Sequence, residues 1–377
     1  MSAKRLILAT LLIASPALAQ DDPVATAAAR MKAFPVMQSV ERADAYTPAE
    51  TVKGRPRALM LAKESGGIDP AALTAAQAYA DAQNSFALVV MRDGKVVHER
   101  YASGFTADSR FSPASMAKAV AALTFGTANI PLDARVDRWL TEWKGDPRGS
   151  ITVRQLLTMT SGVRWNEDYT DPKSDVALFG IHKAEPGVDV TVSYMRKLPR
   201  EAPAGTKWVY KTGETNLIGV LVSSATKKTL SAYLSEKIWK PYGMAQDAVW
   251  ITGSTGHEIS GCCVSASLQD YARFGQFMLD GAVAGGKRVV PDDWSVPATS
   301  KQADIAKPGR GYGYQWWTND DGSYAAQGIF GQGIFIDPKR RLIIATNGNW
   351  KTATDEDGVG AERERFYKAV QASVDQL

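Results

Sequence analysis

Cysteine and histidine are scarce in this chain of 377 residues: there are two of the first and three of the second. The two cysteines, Cys262 and Cys263, are neighbours. Cα atoms across a trans peptide stand about 3.80 Å apart, below the usual disulfide span, so no structural disulfide is expected between them. His98, His182 and His257 are scattered, and His257-Glu258 does not continue into H-E-x-x-H. Neither a metal nor any other cofactor is expected from such a set. After the first nineteen residues no stretch is apolar for long enough to cross a bilayer, which argues against stable membrane insertion. Basic and acidic residues nearly balance, 44 against 40, with no long basic run, so nucleic acid is not an implied partner. There is no G-x-S-x-G, which excludes the nucleophile elbow of an α/β-hydrolase. Gly281 to Arg288 nearly spells a phosphate-binding loop, but Arg288 stands where the hydroxyl residue belongs and a helix precedes it, so it reads as a turn.

What is present begins with an export signal. Lys4 and Arg5 supply its positive start, Leu6 to Ala14 its short apolar core, and Ala17-Leu18-Ala19 an A-x-A cleavage site. The expected mature chain starts at Gln20 and is periplasmic or secreted. Cleavage lowers the net charge from +4 to +2, since the signal carries two basic residues and no acidic one. The apolar fraction of 45% is enough to fill a large core.

Strand patterns lie at both ends and helix patterns in the middle. Pro70 to Ala82 reads as a helix capped by Asp69. Phe86 to Met91 and Lys95 to Tyr101 flank Arg92-Asp93-Gly94 as a hairpin, with His98 a structural strand residue. Helices are expected from Thr152 to about Met159, and over 190–198, 215–226 and 230–239. Leu268 to Leu279 carries Tyr271, Phe274, Phe277 and Met278 along one core-facing stripe. Short strands follow at 324–327, 331–336 and 342–346, then a closing helix over 357–374. The expected fold class is α/β in the broad α+β sense: an antiparallel sheet from both chain ends, flanked by helices, with an inserted mainly helical subdomain. The boundaries that follow are a signal at 1–19, a lead-in over 20–58 and one domain over 59–377. Within it the sheet part covers about 59–118 and 305–377, and the helical part about 119–304.

The candidate chemistry sits at Ser115-Met116-Ala117-Lys118, after Pro113 and before an alanine-rich helix. Ser115 falls near the helix start, where free N–H groups favour negative charge, and Lys118 shares its face. A hydroxyl becomes a nucleophile when a neighbouring base takes its proton, and a lysine serves if burial or charge lowers its pKa. Ser224-Ala225-Thr226-Lys227 repeats the spacing but reads as a helix end.

Four stretches resemble the motifs of β-lactamase-fold serine hydrolases, a group of class C β-lactamases, penicillin-binding carboxypeptidases and esterases. The likeness runs over about residues 80 to 375 and is greatest to aminohexanoate-oligomer hydrolases and related esterases. Ser115 to Lys118 resembles S-x-x-K, and Tyr210-Lys211-Thr212 resembles Y-x-N. Gln327 to Gln332 resembles the glycine-containing strand motif, while Leu156 to Gly162 and the Pro241 to Met244 turn match secondary signatures. The resemblance implies that Ser115 forms an acyl-enzyme and that Lys118 and Tyr210 share the proton work, with the choice of base left open. It implies an oxyanion hole from the amides of Ser115 and Ile329, just after Gly328.

Two departures carry weight. Thr212 replaces the asparagine of Y-x-N, and Ala326-Gln327-Gly328 lacks the lysine that meets a substrate carboxylate in K-T-G. The expected partner is therefore a small carboxylic ester or linear amide. The alternatives are a β-lactamase, a D-Ala-D-Ala carboxypeptidase, or a catalytically silent peptidoglycan-binding or sensor domain. Tyr169 and Trp165 fall in the loop that borders the pocket in aminohexanoate-oligomer hydrolases. Trp316 and Trp317 are further cleft candidates, with core packing the competing role. The oligomeric state is not legible.

Overall fold

The computed structural model of the protein describes residues 48–57, 59–62, 65–350 and 358–375. The export signal and most of the lead-in segment fall at 1–47, outside the described residues. The strands, in chain order, are β1 (Ala49–Val52), β2 (Met60–Leu61), β3 (Ala87–Arg92), β4 (Lys95–Tyr101) and β5 (Arg110–Phe111). Then follow β6 (Ala248–Ile251), β7 (Val264–Ser267), β8 (Val283–Ala284), β9 (Lys287–Arg288), β10 (Arg310–Tyr312), β11 (Trp317–Asn319), β12 (Tyr324–Gln327), β13 (Gly333–Asp337) and β14 (Leu342–Asn347).

Both chain ends meet in the main sheet. Its order is β10-β11-β12-β13-β14-β3-β4-β2. The seam is β14 against β3, antiparallel with Ile344 opposite Val90. All its pairs are antiparallel except the short edge pair β2 with β4. The turn between β3 and β4 is tighter than the three-residue reading: Arg92 pairs with Lys95, leaving Asp93 and Gly94. Both have positive φ, 50° and 76°, as a type I′ turn requires.

The run Ala87-Leu88-Val89-Val90-Met91 is fully buried because helices cover both sheet faces. Side chains alternate across a strand, so the run feeds two cores. Leu88 and Val90 join Phe335 and Ile344 beneath helices Pro70–Ala82 and Val359–Asp375, through Leu73, Phe366 and Val370. Ala87, Val89 and Met91 face the other way, into the larger core with Ile334, Ile343 and Phe274 of helix Leu268–Leu279. The expected caps are present. Asp69 accepts from the Ala71 amide, and Thr152 and Gln155 form a reciprocal capping box on Val153–Leu157.

The middle of the chain is less helical than expected. β6 and β7 pair with each other and recruit β1 and β5 into a four-stranded sheet of order β1-β6-β7-β5. Val264-Ser265-Ala266-Ser267 is short and wholly buried, and small polar residues hide its strand character. The single helix expected over 230–239 is Leu230–Leu234 running into a π-helical Ser235–Trp239. Pro241 and Gly243, at φ 91°, then end it. Gly281 to Arg288 holds the β8–β9 hairpin, turned at Gly285 and Gly286.

Cys262 and Cys263 are joined by a disulfide, with Cα atoms 3.7 Å apart. The sequence expectation was wrong here. The usual span describes bridges between separate segments. Adjacent cysteines share a peptide bond and close a small ring when the backbone accommodates it, and Cys263 takes φ 77°.

Candidate active site

Ser115 lies in a 3₁₀ turn, Ala114–Met116, that leads directly into helix Ala117–Gly126. Ala114 sits at φ 46°, a left-handed conformation that costs a non-glycine residue about 1–3 kcal/mol and persists where its surroundings enforce it. Two strand ends do so. Asn347, at the end of β14, donates from Nδ2 to the Ser112 carbonyl at 2.9 Å. Gly328 follows β12 so closely that a Cβ there would stand 2.6 Å from the Pro113 carbonyl oxygen. A side chain at 328 would push the strand motif off the turn that carries Ser115. Ile329 is the next residue along from that approach and is 6% exposed.

Lys118 is 1% exposed, and its Nζ makes three hydrogen bonds. They run to Ser115 Oγ at 3.0 Å, Thr212 Oγ1 at 2.9 Å and the Gly261 carbonyl at 2.8 Å. Burial lowers its pKa from the ordinary lysine value to about 8, against a smaller opposing pull from Glu167. The ammonium also lies 5.0 Å from the centre of the Tyr210 ring. Burial, then the negative charge of Glu167, push the Tyr210 pKa well above the usual phenol value, with Ser115 working the other way.

The structure therefore brings Ser115, Lys118, Tyr210 and Thr212 together. Thr212 bridges where the motif has asparagine: Oγ1 accepts from Lys118 and donates to Glu167. Its amide donates to Glu167 Oε2 at 3.0 Å. Glu167 is the residue that the motifs missed. It also accepts from Tyr169 Oη at 2.6 Å and from the Trp165 indole. Its signal was available only as a carboxylate two residues before Tyr169, in a loop already suspected. Trp165, 5% exposed and set edge-on to Tyr194, supports Glu167 from beneath.

Behind the site Lys211 and Glu214 form a buried pair, N to O 3.4 Å. Lys211 Nζ also donates to the Met159 and Val209 carbonyls, and Ser161 donates to Glu214. Burial raises the Glu214 pKa, partly offset by Lys211. This brace holds the segment between Tyr210 and Thr212.

The two tryptophan candidates separate. Trp317 is partly exposed and stacks on Tyr210 at 5.5 Å, in a wall with Trp208 and Tyr312. Trp316 is 1% exposed and stacks on Phe274, so it belongs to the core and not to the cleft. Gln327 reaches Glu364 on the closing helix at 3.3 Å. His98 is a β4 residue opposite Val90. A cavity of about 660 Å³ lined by His182, Glu185, Asp189 and His257 includes none of the site residues. Among the described residues no group of three or more His, Cys, Asp or Glu side chains is arranged to hold a metal ion.

A family model described as Beta-lactamase matches residues 71–368. The 6-aminohexanoate-dimer hydrolase of Paenarthrobacter ureafaciens is 29% identical over 286 residues, 70% of this chain and 72% of that protein. A solved structure described as "Putative 6-aminohexanoate-dimer hydrolase from Bacillus anthracis" has a TM-score of 0.77 at 23% identity, covering 91% of this chain and 95% of that one. A D-stereospecific amidohydrolase from Streptomyces sp. has a TM-score of 0.57 at 20% identity, covering 77% and 97%. At those identities the two structures speak to the fold alone.

Proposed function

The chain belongs to the beta-lactamase family, and on that premise we propose that it hydrolyses carboxylic esters or linear amides through an acyl-enzyme on Ser115. The observation that carries this reading is the set of three partners around Lys118 Nζ. A neutral lysine keeps two N–H donors. Thr212 Oγ1, already committed as a donor to Glu167, accepts one, and the Gly261 carbonyl accepts the other. The lone pair is left facing Ser115 Oγ at 3.0 Å. A pKa near 8 makes that neutral form accessible at working pH, whereas burial disfavours a Tyr210 phenolate. Lys118 is thus the better base, and Tyr210 the better relay to the leaving group.

Ser115 Oγ attacks the carbonyl carbon as its proton passes to Lys118. The amides of Ser115 and Ile329 receive the developing oxyanion. Collapse expels the alcohol or amine, which takes the Lys118 proton relayed through Tyr210, and leaves the acyl-enzyme with Lys118 neutral again. Water then attacks that ester and gives a proton to Lys118, which returns it to Ser115 Oγ as the acid leaves. Trp317 and Tyr169 line the substrate approach, with Gly328 and Thr212 framing the reacting carbonyl.

No lysine stands at Ala326, so a carboxylate set next to the scissile bond has no partner there. Nitrophenyl acetate and butyrate, aminohexanoate dimer, nitrocefin and a D-Ala-D-Ala peptide form the test panel. The expected ranking by kcat/KM puts an ester or the linear amide first, and a preference for nitrocefin overturns it. We also read the product as exported. N-terminal sequencing of the folded protein should begin at Gln20, and Met1 on that product would refute it.

A further inference from the structure

Gly261, one residue before Cys262, supplies an acceptor to the base, and it is held from three sides. Its amide donates to Asn216 Oδ1 at 2.7 Å while its carbonyl accepts from Lys118. A Cβ at 261 would stand 2.7 Å from the Thr212 methyl, so the backbone runs flush against the helix that carries Thr212. On the far side the cysteine pair is pinned by its own carbonyls. Cys262 O accepts from the Trp250 indole at 3.0 Å, and Cys263 O from the Ile251 amide at 3.1 Å. Cys263 nevertheless holds a left-handed φ of 77°, a conformation unfavourable for a side chain with a Cβ. The disulfide ring restricts the backbone at both cysteines. Opening it frees Cys263 to leave that conformation, and the carbonyl two residues back moves with the chain.

We propose that the Cys262–Cys263 disulfide is a positioning element for Lys118, acting through the Gly261 carbonyl, and that thiol reductants therefore tune the reactivity of Ser115. Cys262 is half-buried and reachable, whereas Cys263 is 8% exposed. The thiolate of a dithiol reagent attacks Cys262 Sγ, the S–S bond breaks, and Cys263 leaves as thiolate. The reagent's second thiol then displaces Cys262 and closes the reagent's own disulfide. Two electrons pass to the protein, and the two reagent protons end on Cys262 and Cys263.

Loss of the Gly261 acceptor has two consequences. The lysine lone pair is no longer held toward Ser115, so the limiting rate at high pH falls. The ammonium form also loses a hydrogen-bond acceptor, so the midpoint of the pH profile moves down from about 8. The other groups facing Nζ are Ser115, Thr212, the Tyr210 ring and, through its charge, Glu167. None of them is altered by the reagent.

The inference rests on Ser115 as nucleophile and Lys118 as base. The test is the rate of Ser115 labelling by a fluorophosphonate, read by intact mass across pH 6 to 10 (about two units either side of the lysine midpoint) with and without dithiothreitol. Thiols are counted in parallel, and the fold is followed by circular dichroism. The expected result is two thiols released per chain, a limiting rate lower by roughly 10- to 100-fold, a lower midpoint and recovery on reoxidation. Cys262→Ser/Cys263→Ser should match reduced wild type and ignore the reagent. If that variant does not fold, reduced wild type of unchanged circular dichroism decides alone. Two free thiols before reduction overturn the proposal, as does release of two thiols with rate and midpoint unchanged. A lower rate without a midpoint shift also overturns it, because general loosening would do the same. Equal labelling of Ser115→Ala would instead sink the reading of the site itself.

Discussion

The seam between β3 and β14 and the floor around Lys118 are both almost dry, yet they are built on opposite terms. At the seam, burial is the stabilising term: Leu88, Val90 and Ile344 are fully buried and need nothing but shape from their neighbours. At the floor, burial is a cost, offset by hydrogen bonds among the buried polar groups. Lys118 has three hydrogen-bond partners, Thr212 links it to Glu167, and Lys211 is closed off by Glu214 and two carbonyls. The seam tolerates change in proportion to lost volume. The floor should respond to the loss of a single oxygen atom.

Substitutions at the two regions should therefore separate in kind as well as in size. The largest effect is expected from Ser115→Ala, which should lower kcat/KM by about a thousandfold or more and abolish covalent labelling, read by intact mass. Tyr210→Phe keeps the ring wall and removes the relay. A fall of about a hundredfold is expected, greater on an amide than on a nitrophenyl ester, whose leaving group departs without a proton. An unchanged rate would take Tyr210 out of the mechanism.

Glu167→Gln should lower the limiting rate by about tenfold, because Thr212 loses a charged acceptor. Its carboxylate favours the ammonium form, so its removal should move the acid limb of the profile to lower pH. Activity rises as Lys118 loses its proton, which fixes the sign: more neutral lysine at a given pH below 8, less well directed. A limb that moves up would refute the contact. Ile344→Ala tests the other region. It should cost about 2–5 kcal/mol in chemical denaturation while leaving the pH midpoint in place. A midpoint shift there would show that the two regions are coupled.

The seam was legible because its signals are local. Short apolar runs, the Asp-Gly turn and the Asp69 and Thr152 caps placed the hairpin, the last strands and two helices. The four-stranded sheet was not legible, because β1 and β6 are far apart in sequence and each is only four residues long. Ser115, Lys118 and Tyr210 were legible as motif residues with fixed spacing, and the structure brings them together. Glu167 was not, since a carboxylate in a polar loop has no spacing rule that ties it to Lys118. Trp316 and Trp317 are adjacent and alike in sequence, and only strand alternation at the start of β11 sends one to the core and the other to the cleft.

By itself, the sequence determined the elements whose cause lies within about one turn of chain: caps, hairpin, amphipathic stripe, and the chemical identity of Ser115, Lys118 and Tyr210. Tertiary structure decided the protonation chemistry. The Lys118 pKa depends on how completely water is removed from Nζ. One of the hydrogen bonds that orient Nζ goes to the Gly261 carbonyl, 143 residues away along the chain. Even the Cys262–Cys263 bond, between neighbours, was missed by a rule for separate segments. Dielectric and direction are properties of a packed environment, and no local pattern of residues encodes them.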